Sequence, residues 1–374
     1  MRILELLSTS SVTGPAQLCL SDAEALRREG HEVLFGCDTR REGNYAAAIR
    51  AAGFELMDEL ALCRKSGPGE TLRDLAHLRS RLARADLVHG RFSHDHTLAL
   101  LAMKGLSKRP AMVRTAEIAA SIRPGLGRGL ALRGCDAVIV SCAQYADRLA
   151  ENHRVPRERI HAISGCVDAE RFSPGDGSAL RRELGVGDAQ VLFGIVSRIK
   201  PERRHELLVR AFAKVVRERG GARLAIVGRG EGEGEIRALV SRLGLEREIL
   251  FAGYRSQASL VPAYRALDAK IWLAEGNDGT CRAVLEAMAC GKPVIVGGAG
   301  AMAELVRDGL DGFVCSLEEG AVAAALARLG ERNLRERMGR SARERALFFG
   351  PERRAAALWQ CYEAALAHAR KRMG

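Results

Sequence analysis

The chain has 374 residues, of which 47% are hydrophobic, with a formal net charge of +12 and a mean hydropathy of −0.08. That length suits two domains, each with its own core, and the composition excludes disordered and fibrous classes. No apolar run nears the ~20 residues of a membrane-spanning helix.

The positive charge admits nucleic acid, an anionic membrane or an acidic substrate as partner. Aromatic residues at 5% and the lack of a nucleic-acid module argue against nucleic acid. Ten cysteines without a CxxC or zinc-like grouping predict reduced, mostly buried thiols. The opening "MRILELLSTSSVTG" holds too short an apolar stretch for a signal peptide, so a cytoplasmic location is expected.

In chain order, "RILELLS" reads as a strand, "AQLCLSDAEALRREG" as an amphipathic helix closing on Gly30, and "HEVLFGC" as the next strand. "ADLVHG", "AMVRTA", "DAVIVSC" and "ERIHAI" continue the alternation. Two basic segments fall in this half, Arg64 to Asp86 and Lys104 to Gly134. In the first, Leu72, Leu75, Leu78 and Leu82 recur at helical spacing with Arg73, Arg79, Arg81 and Arg84 largely elsewhere. Such a helix either docks on acidic lipid headgroups or is a plain surface helix.

Gly165 to Gly177, "GCVDAERFSPGDG", is turn-rich and polar, as a linker is. The alternation restarts with "VLFGIVS", "ARLAIVG", "EILFAGY", "DAKIWLA", "KPVIVGG" and "GFVC", and the chain ends in one long helix. This rhythm predicts an α/β protein of two doubly wound parallel sheets facing each other across a crevice, with ligands beyond the carboxyl ends of the strands. The expected boundaries are 1–168, a linker at 169–178, 179–350, and a final helix at 351–374.

"GIVSRIKPERRHELLVRAF", "LAIVGRGEGEGEIRALVSRLGL", "ILFAGYRSQASLVPAYRALDAKIWLA" and "DGTCRAVLEAMACGKPVIVGGAGAMAELVRDGLDGFV" together resemble the retaining GT-B glycosyltransferases of family 4. "MRILELLSTSSVTGPAQ", "GHEV", "DLVHGR" and "SGCVDAERFSP" are similar to that family's N-terminal half and linker. The resemblance spans nearly the whole chain and is looser in the first half, where the family encodes acceptor specificity. It implies two Rossmann-like domains, with the last helix crossing back to the first. It also implies metal-independent transfer of a sugar, with retention, from a nucleotide-diphosphate sugar to a glycolipid or oligosaccharide acceptor. A lipid-linked or lipopolysaccharide-core acceptor places the enzyme at the inner face of the cell membrane.

A diphosphate needs positive charge and oriented amides. Arg198 and Arg203 match the family's arginine–lysine pair on the diphosphate, with arginine in place of lysine; Arg204 stands where glycine is usual. Gly14 matches the second of two adjacent glycines, with Thr13 at the first.

After the strand "DAKIWLA", the turn "EGNDG" leads into a helix whose first amides belong to Thr280, Cys281 and Arg282. Asp278 and Glu286 match the family's two glutamates, the first on the donor sugar and the second on the ribose; Gly279 lies between them. Glu275 is assigned to the turn.

The backbone of Gly253, Tyr254 and Arg255 is expected against the base. Where the family commonly has a histidine near the reacting sugar, this chain has Glu117. Three readings stay open there: a survivable change beside a backbone contribution, a carboxylate stabilising an oxocarbenium-like state, or altered activity.

His89, His94 and His96 follow the "DLVHG" strand and are candidates for acceptor hydroxyls. A metal site there is conceivable on ligand type alone, but nothing supplies a second cluster, and neither metal nor cofactor is expected. "VGRGEGEG" is no dinucleotide fingerprint, because Glu233 takes the third glycine's place. A nucleotide-sugar epimerase and a binding protein without catalysis are the competing readings.

Overall fold

The computed structural model describes residues 1–116, 123, 125–255, 257–276 and 278–373, the side chains of 126, 219, 257, 278–280 and 373 excepted. The chain divides into two compact units, Met1–Gly165 with Asn277–Gly279 and Pro351–Gly374, and Cys166–Gly276 with Thr280–Gly350.

In the first unit the order is β1 (Arg2–Leu7), α1 (Gly14–Arg28), β2 (Glu32–Cys37), α2 (Tyr45–Ala51), β3 (Glu55–Leu56), α3 (Pro68–Leu82) and β4 (Leu87–Gly90). There follow α4 (Ser93–Ala102), β5 (Ala111–Thr115), α5 (Leu126–Arg133), β6 (Ala137–Val140), α6 (Ala143–His153) and β7 (Ile160–Ala162). The second unit holds α7 (Ser178–Glu183), β8 (Val191–Val196), α8 (His205–Arg219), β9 (Ala222–Val227), α9 (Glu233–Arg242), β10 (Ile249–Gly253) and α10 (Gln257–Ala266). It continues through β11 (Ala269–Trp272), α11 (Asp278–Ala289), β12 (Val294–Gly297), α12 (Met302–Leu305), β13 (Gly312–Cys315), α13 (Glu319–Leu329) and α14 (Arg332–Leu347). The chain closes with α15 (Pro351–Met373).

The first sheet runs β3-β2-β1-β4-β5-β6-β7, parallel throughout. Ile3, Leu7, Val113 and Ile139 join Ala23 and Leu26 of α1 and Leu358, Cys361, Tyr362 and Ala365 of α15 in one buried cluster. Each fully buried leucine-sized side chain contributes about 1.5–3 kcal/mol.

On the same face lies Glu5, wholly buried in the middle of a core strand. Its two oxygens accept from Arg91 Nε at 2.9 Å and from the Tyr362 hydroxyl at 2.8 Å. Arg91 also donates to Asp22 at 2.9 Å, and Arg354 of α15 donates to the other Asp22 oxygen at 2.9 Å. Burial alone would raise the Glu5 pKa; the Arg91 charge, with hydrogen bonds from His89 and Arg91, outweighs it and holds the carboxyl far below the ordinary range. Two carboxylates and two guanidiniums therefore balance inside the unit, and two of the partners belong to the terminal helix.

α3 turns a different face inward from the one its leucines predict. Leu78 and Leu82 are buried, but Leu72 is 67% exposed and Asp74 is buried instead. The cause is local: the Asp74 carboxylate accepts the amides of Ala61 and Leu62, at 3.0 Å each, and this pins the helix orientation.

The second sheet runs β10-β9-β8-β11-β12-β13, also parallel. Phe193, Ile195, Leu224, Ile226, Ile271 and Ile295 bury one face against Leu208 and Phe212 of α8 and Leu326 of α13. The other face packs Leu192, Ala225 and Val227 on Ala263 and Ala266 of α10 and on Leu267 just after it. Strand alternation puts Lys270 and Trp272 on this second face, since Ala269 and Ile271 belong to the first.

Arg354→Met is expected to destabilise the first unit by about 3–5 kcal/mol, the cost of leaving a buried charge short of its partner. Urea unfolding followed by tryptophan fluorescence and circular dichroism measures it. A change under ~1 kcal/mol would mean that Asp22 needs only Arg91.

Candidate functional site

In the second sheet the strand order reverses between β8 and β11, so the loops after these strands part and leave a place for a ligand at their carboxyl ends. The loop after β8 is laced to the loop after β9. Ile199 N donates to Arg229 O at 3.2 Å and Gly232 N to Ile199 O at 3.2 Å. A Cβ on Gly228, whose φ is +143°, would meet Ser197 O at 1.9 Å, and one on Gly230 would meet Ile199 O at 2.2 Å. The glycines of "VGRGEGEG" are thus explained by backbone packing against the β8 loop.

That loop carries Arg198, exposed, and Arg203, half-buried with its guanidinium 4.7 Å from the centre of the Trp272 ring. Burial, then repulsion from Arg198, lowers the Arg203 pKa. Among the described residues neither arginine has a carboxylate within ion-pair distance. Two neighbouring cations without a counter-ion form a place for a polyanion. Arg204, at the family's glycine, has φ +60°, the left-handed conformation that glycine adopts without cost.

Glu286 of α11 is 3% exposed. One of its oxygens accepts from the Tyr264 hydroxyl at 2.8 Å and the other from Arg282 Nε at 3.0 Å. Each carboxylate oxygen keeps acceptor capacity beyond these bonds. Cys281, beside Arg282, is buried. Asp278, Gly279 and Thr280 form the first turn of α11, and their side chains lie outside the described residues. Glu275 is exposed in the turn before the helix.

After β10, Gly253 has φ +68° and its carbonyl accepts from Gly228 N at 2.8 Å. Tyr254 is 63% exposed, with the Arg229 guanidinium 5.0 Å from its ring centre. The Arg255 side chain pairs with Glu183 through both its terminal nitrogens, leaving only its backbone for the expected contact with a base.

In the first unit, Gly14 is the first residue of α1, and the Thr13 hydroxyl caps the helix by accepting from Ala16 N at 3.4 Å. Glu117 lies outside the described residues. The histidine expectation needs correction. His89 is fully buried between the Tyr362 hydroxyl, 2.7 Å away, and Thr115 Oγ1, 2.6 Å away. His96 is 3% exposed, against Cys135 Sγ at 3.0 Å.

Burial lowers the pKa of both, that of His96 to about 3, so they are neutral core residues that no acceptor can reach. His94 alone is half-buried, with Nε2 unpartnered. Among the described residues, no three side chains of metal-ligating type gather into a site.

A family model described as Glycosyl transferases group 1 matches residues 177–345, and one described as Glycosyltransferase Family 4 matches residues 12–171. The chain belongs to this glycosyltransferase family.

A D-inositol 3-phosphate glycosyltransferase of Nocardia farcinica is 31% identical over 250 residues, covering 64% of this chain and 55% of that protein. The chain thus spans little more than half the length of such curated relatives. Among solved structures, Anabaena Alr3699/HepE in complex with UDP and glucose superposes with a TM-score of 0.79 at 20% identity, covering 96% and 99% of the two chains. The lipopolysaccharide outer core galactosyltransferase WaaB, in its apo form, gives 0.75 at 15% identity, covering 96% and 99%. At these identities the likeness is one of fold: two Rossmann-like parallel-sheet units, as in GT-B enzymes.

Three side chains of this family member escape the motif reading. Tyr264 fixes Glu286, Trp272 carries Arg203, and Lys270 lies buried on the same sheet face. The available signal was a lysine in an otherwise apolar strand, "AKIW".

Glu286→Gln is expected to weaken nucleoside-diphosphate binding by about 1.5–3 kcal/mol, the worth of a charge-assisted bond. Asp278→Asn should spare that affinity and lower transfer, and Glu275→Gln should change neither. Calorimetry paired with transfer rates tests all three; a selective loss of transfer in the Glu275 variant would shift the register of the site.

Proposed function

We propose that the protein transfers a sugar, with retention at the anomeric carbon, from a nucleoside-diphosphate sugar to a hydroxyl of a cell-envelope glycan or lipid-linked acceptor. The observation that carries the reading is the unneutralised Arg198–Arg203 pair at the end of β8, in the same unit as the anchored Glu286. The complexes of the Anabaena structure with UDP and with UDP-glucose support such a donor, and the relatives' names support an acceptor rich in hydroxyls.

The chemistry follows from charge. As the bond between anomeric carbon and diphosphate lengthens, negative charge grows on the leaving phosphate. Arg203, half-buried against Trp272, and the exposed Arg198 beside it on the same loop stabilise it. Glu286 orients the ribose, Asp278 the donor sugar, and the amides of the first turn of α11 assist the phosphates. The backbone of Gly253, Tyr254 and Arg255 borders the base. Glu117, outside the described residues, takes the place of the family's histidine in sequence, and a carboxylate near the reacting sugar would stabilise positive charge on its ring.

No metal enters this scheme, because the arginines supply the countercharge. Turnover is expected to survive excess EDTA, and NMR of the first product formed should show the donor's anomeric configuration. Loss of activity in EDTA restored by Mg²⁺ or Mn²⁺, or an inverted product, would overturn the reading.

The work site proposed is the cytoplasmic face of the membrane. Among the described residues no helix is long and apolar enough to cross a membrane, but Leu72 and Leu130 are 67% and 66% exposed within arginine-rich helices. Lys and Arg near an anionic bilayer add roughly 1 kcal/mol each, screened by salt. Vesicle sedimentation is expected to show salt-sensitive binding to anionic lipid. Equal binding to neutral vesicles, or none at low salt, refutes it.

A further inference from the structure

Lys270 is completely buried in β11, paired in register with Gly194 of β8. Its side chain runs along the sheet face toward the carboxyl end of β8, where Nζ donates to Val196 O at 3.4 Å. Val196 stands two residues before Arg198, so the ammonium sits beneath the root of the arginine-bearing loop. The aromatic faces of Tyr264 and Trp272 flank it, at 5.4 Å and 5.3 Å from Nζ. Trp272 is also the ring under Arg203.

The charged surroundings are uneven. Glu286, on α11, attracts the ammonium, but its oxygens already serve Tyr264 and Arg282. Arg203 repels it. The Tyr264 hydroxyl, on α10, stays neutral because burial, then Glu286, raises its pKa far above the ordinary value. The flanking strands β8 and β12 contribute no ionisable side chain. An ammonium carries three donors, and the described structure provides one long bond to a carbonyl.

We propose that Lys270 is a positioning residue of the nucleotide site: its ammonium fixes the carboxyl end of β8 beneath the arginine pair and gains its proton as the diphosphate binds. The inference rests on the donor-site reading above. Without an anion, burial and then Arg203 disfavour the charged form, and the pKa falls to about 7. A diphosphate between Arg198 and Arg203 cancels the repulsion and adds attraction, so the protonated form binds it more tightly. By linkage, binding then draws a proton from solution at pH values above the free pKa.

The test is calorimetric titration of the full chain with UDP, GDP and ADP near pH ~8, in two buffers of different ionisation enthalpy, where the terminal phosphate (pKa about 6) is already ionised. Roughly half a proton should be taken up per nucleotide, and affinity should fall up to about tenfold between pH ~7 and ~9. Lys270→Met keeps the apolar stem, and is expected to bind about tenfold more weakly near neutral pH, with no uptake and a flat pH profile. Lys270→Arg stays charged throughout, so it should retain the neutral-pH affinity while losing the uptake.

A merely structural lysine would change affinity without changing the proton count. Nucleotide binding by the wild type with no uptake overturns the inference alone, as does unchanged uptake in either variant. Should Lys270→Met fail to fold, Lys270→Arg decides by itself. If none of the three nucleotides binds the wild type, the donor-site reading falls and the inference with it.

Discussion

A parallel sheet covered on both faces leaves its strands no wet side, so an ionisable group in mid-strand must be neutralised by what packs over it or lose its charge. Glu5, His89 and Arg114 are such groups in the first unit and Lys270 in the second, and Glu5 and Lys270 are handled in opposite ways. Glu5 in β1 is met by Arg91, Tyr362 and His89, and Asp22 is met by Arg91 and Arg354. The set is balanced and closed. Because Arg354 and Tyr362 come from α15, the last helix is tied to the first strand by charge as well as by its apolar stripe. Lys270 in β11 is left short of partners, and what it lacks is an anion at the carboxyl end of its own sheet. One buried charge is spent on assembling a unit, the other is poised toward a ligand.

The same constraint sends the remaining polar chemistry to the strand ends. The β8 loop holds two arginines that repel one another, an arrangement that lowers stability unless the backbone beneath is rigid. The rigidity comes from glycine. Gly228 and Gly230 let the β9 loop approach until its carbonyl and amide reach Ile199, and a side chain at either place would collide with a carbonyl oxygen. The backbone that carries the cations is thus held in place before any anion arrives, which favours the preorganisation under which charges lower a barrier rather than merely bind.

Much of the architecture was legible because burial on both faces writes itself as short apolar runs: "VLFGIVS", "ARLAIVG" and "KPVIVGG" are strands, as their composition indicates. β3 escaped notice, since a two-residue strand, Glu55–Leu56, carries no period. Within sites, pattern shows residue type and spacing but not depth. The three histidines of "VHGRFSHDH" look alike in the sequence. Only the structure shows His89 and His96 enclosed and His94 half-open. Glu5 reads as an ordinary polar break in "RILELL" because Arg91 and Tyr362, which donate to it, lie 86 and 357 residues away. Leu72 and Asp74 exchanged faces for the sake of two loop amides, a preference no helical wheel contains.

The arginine excess has a structural use that bears on the charge of the whole chain. A helix ends in carbonyls without intrahelical donors, and a guanidinium offers five donors in a planar fork. Arg27 serves the end of α2 through Ala52 O, and Arg79 that of α4 through Ala102, Lys104 and Gly105. Arg133 reaches His153 O after α6, Arg181 reaches Ala266 O after α10, and Arg335 reaches Leu329 O after α13. Arg343 joins Ala289 O at the end of α11 to the carbonyls of Ala169 and Phe172. Such staples are cationic; apart from Arg181, which also pairs with Asp268, each faces the partial negative charge of a helix terminus, about half a unit. Capping therefore consumes the hydrogen bonds of these arginines but not their field. The net charge of +12 remains available at long range to draw in an anion, while specificity rests with Arg198 and Arg203, which among the described residues have no carboxylate within ion-pair distance.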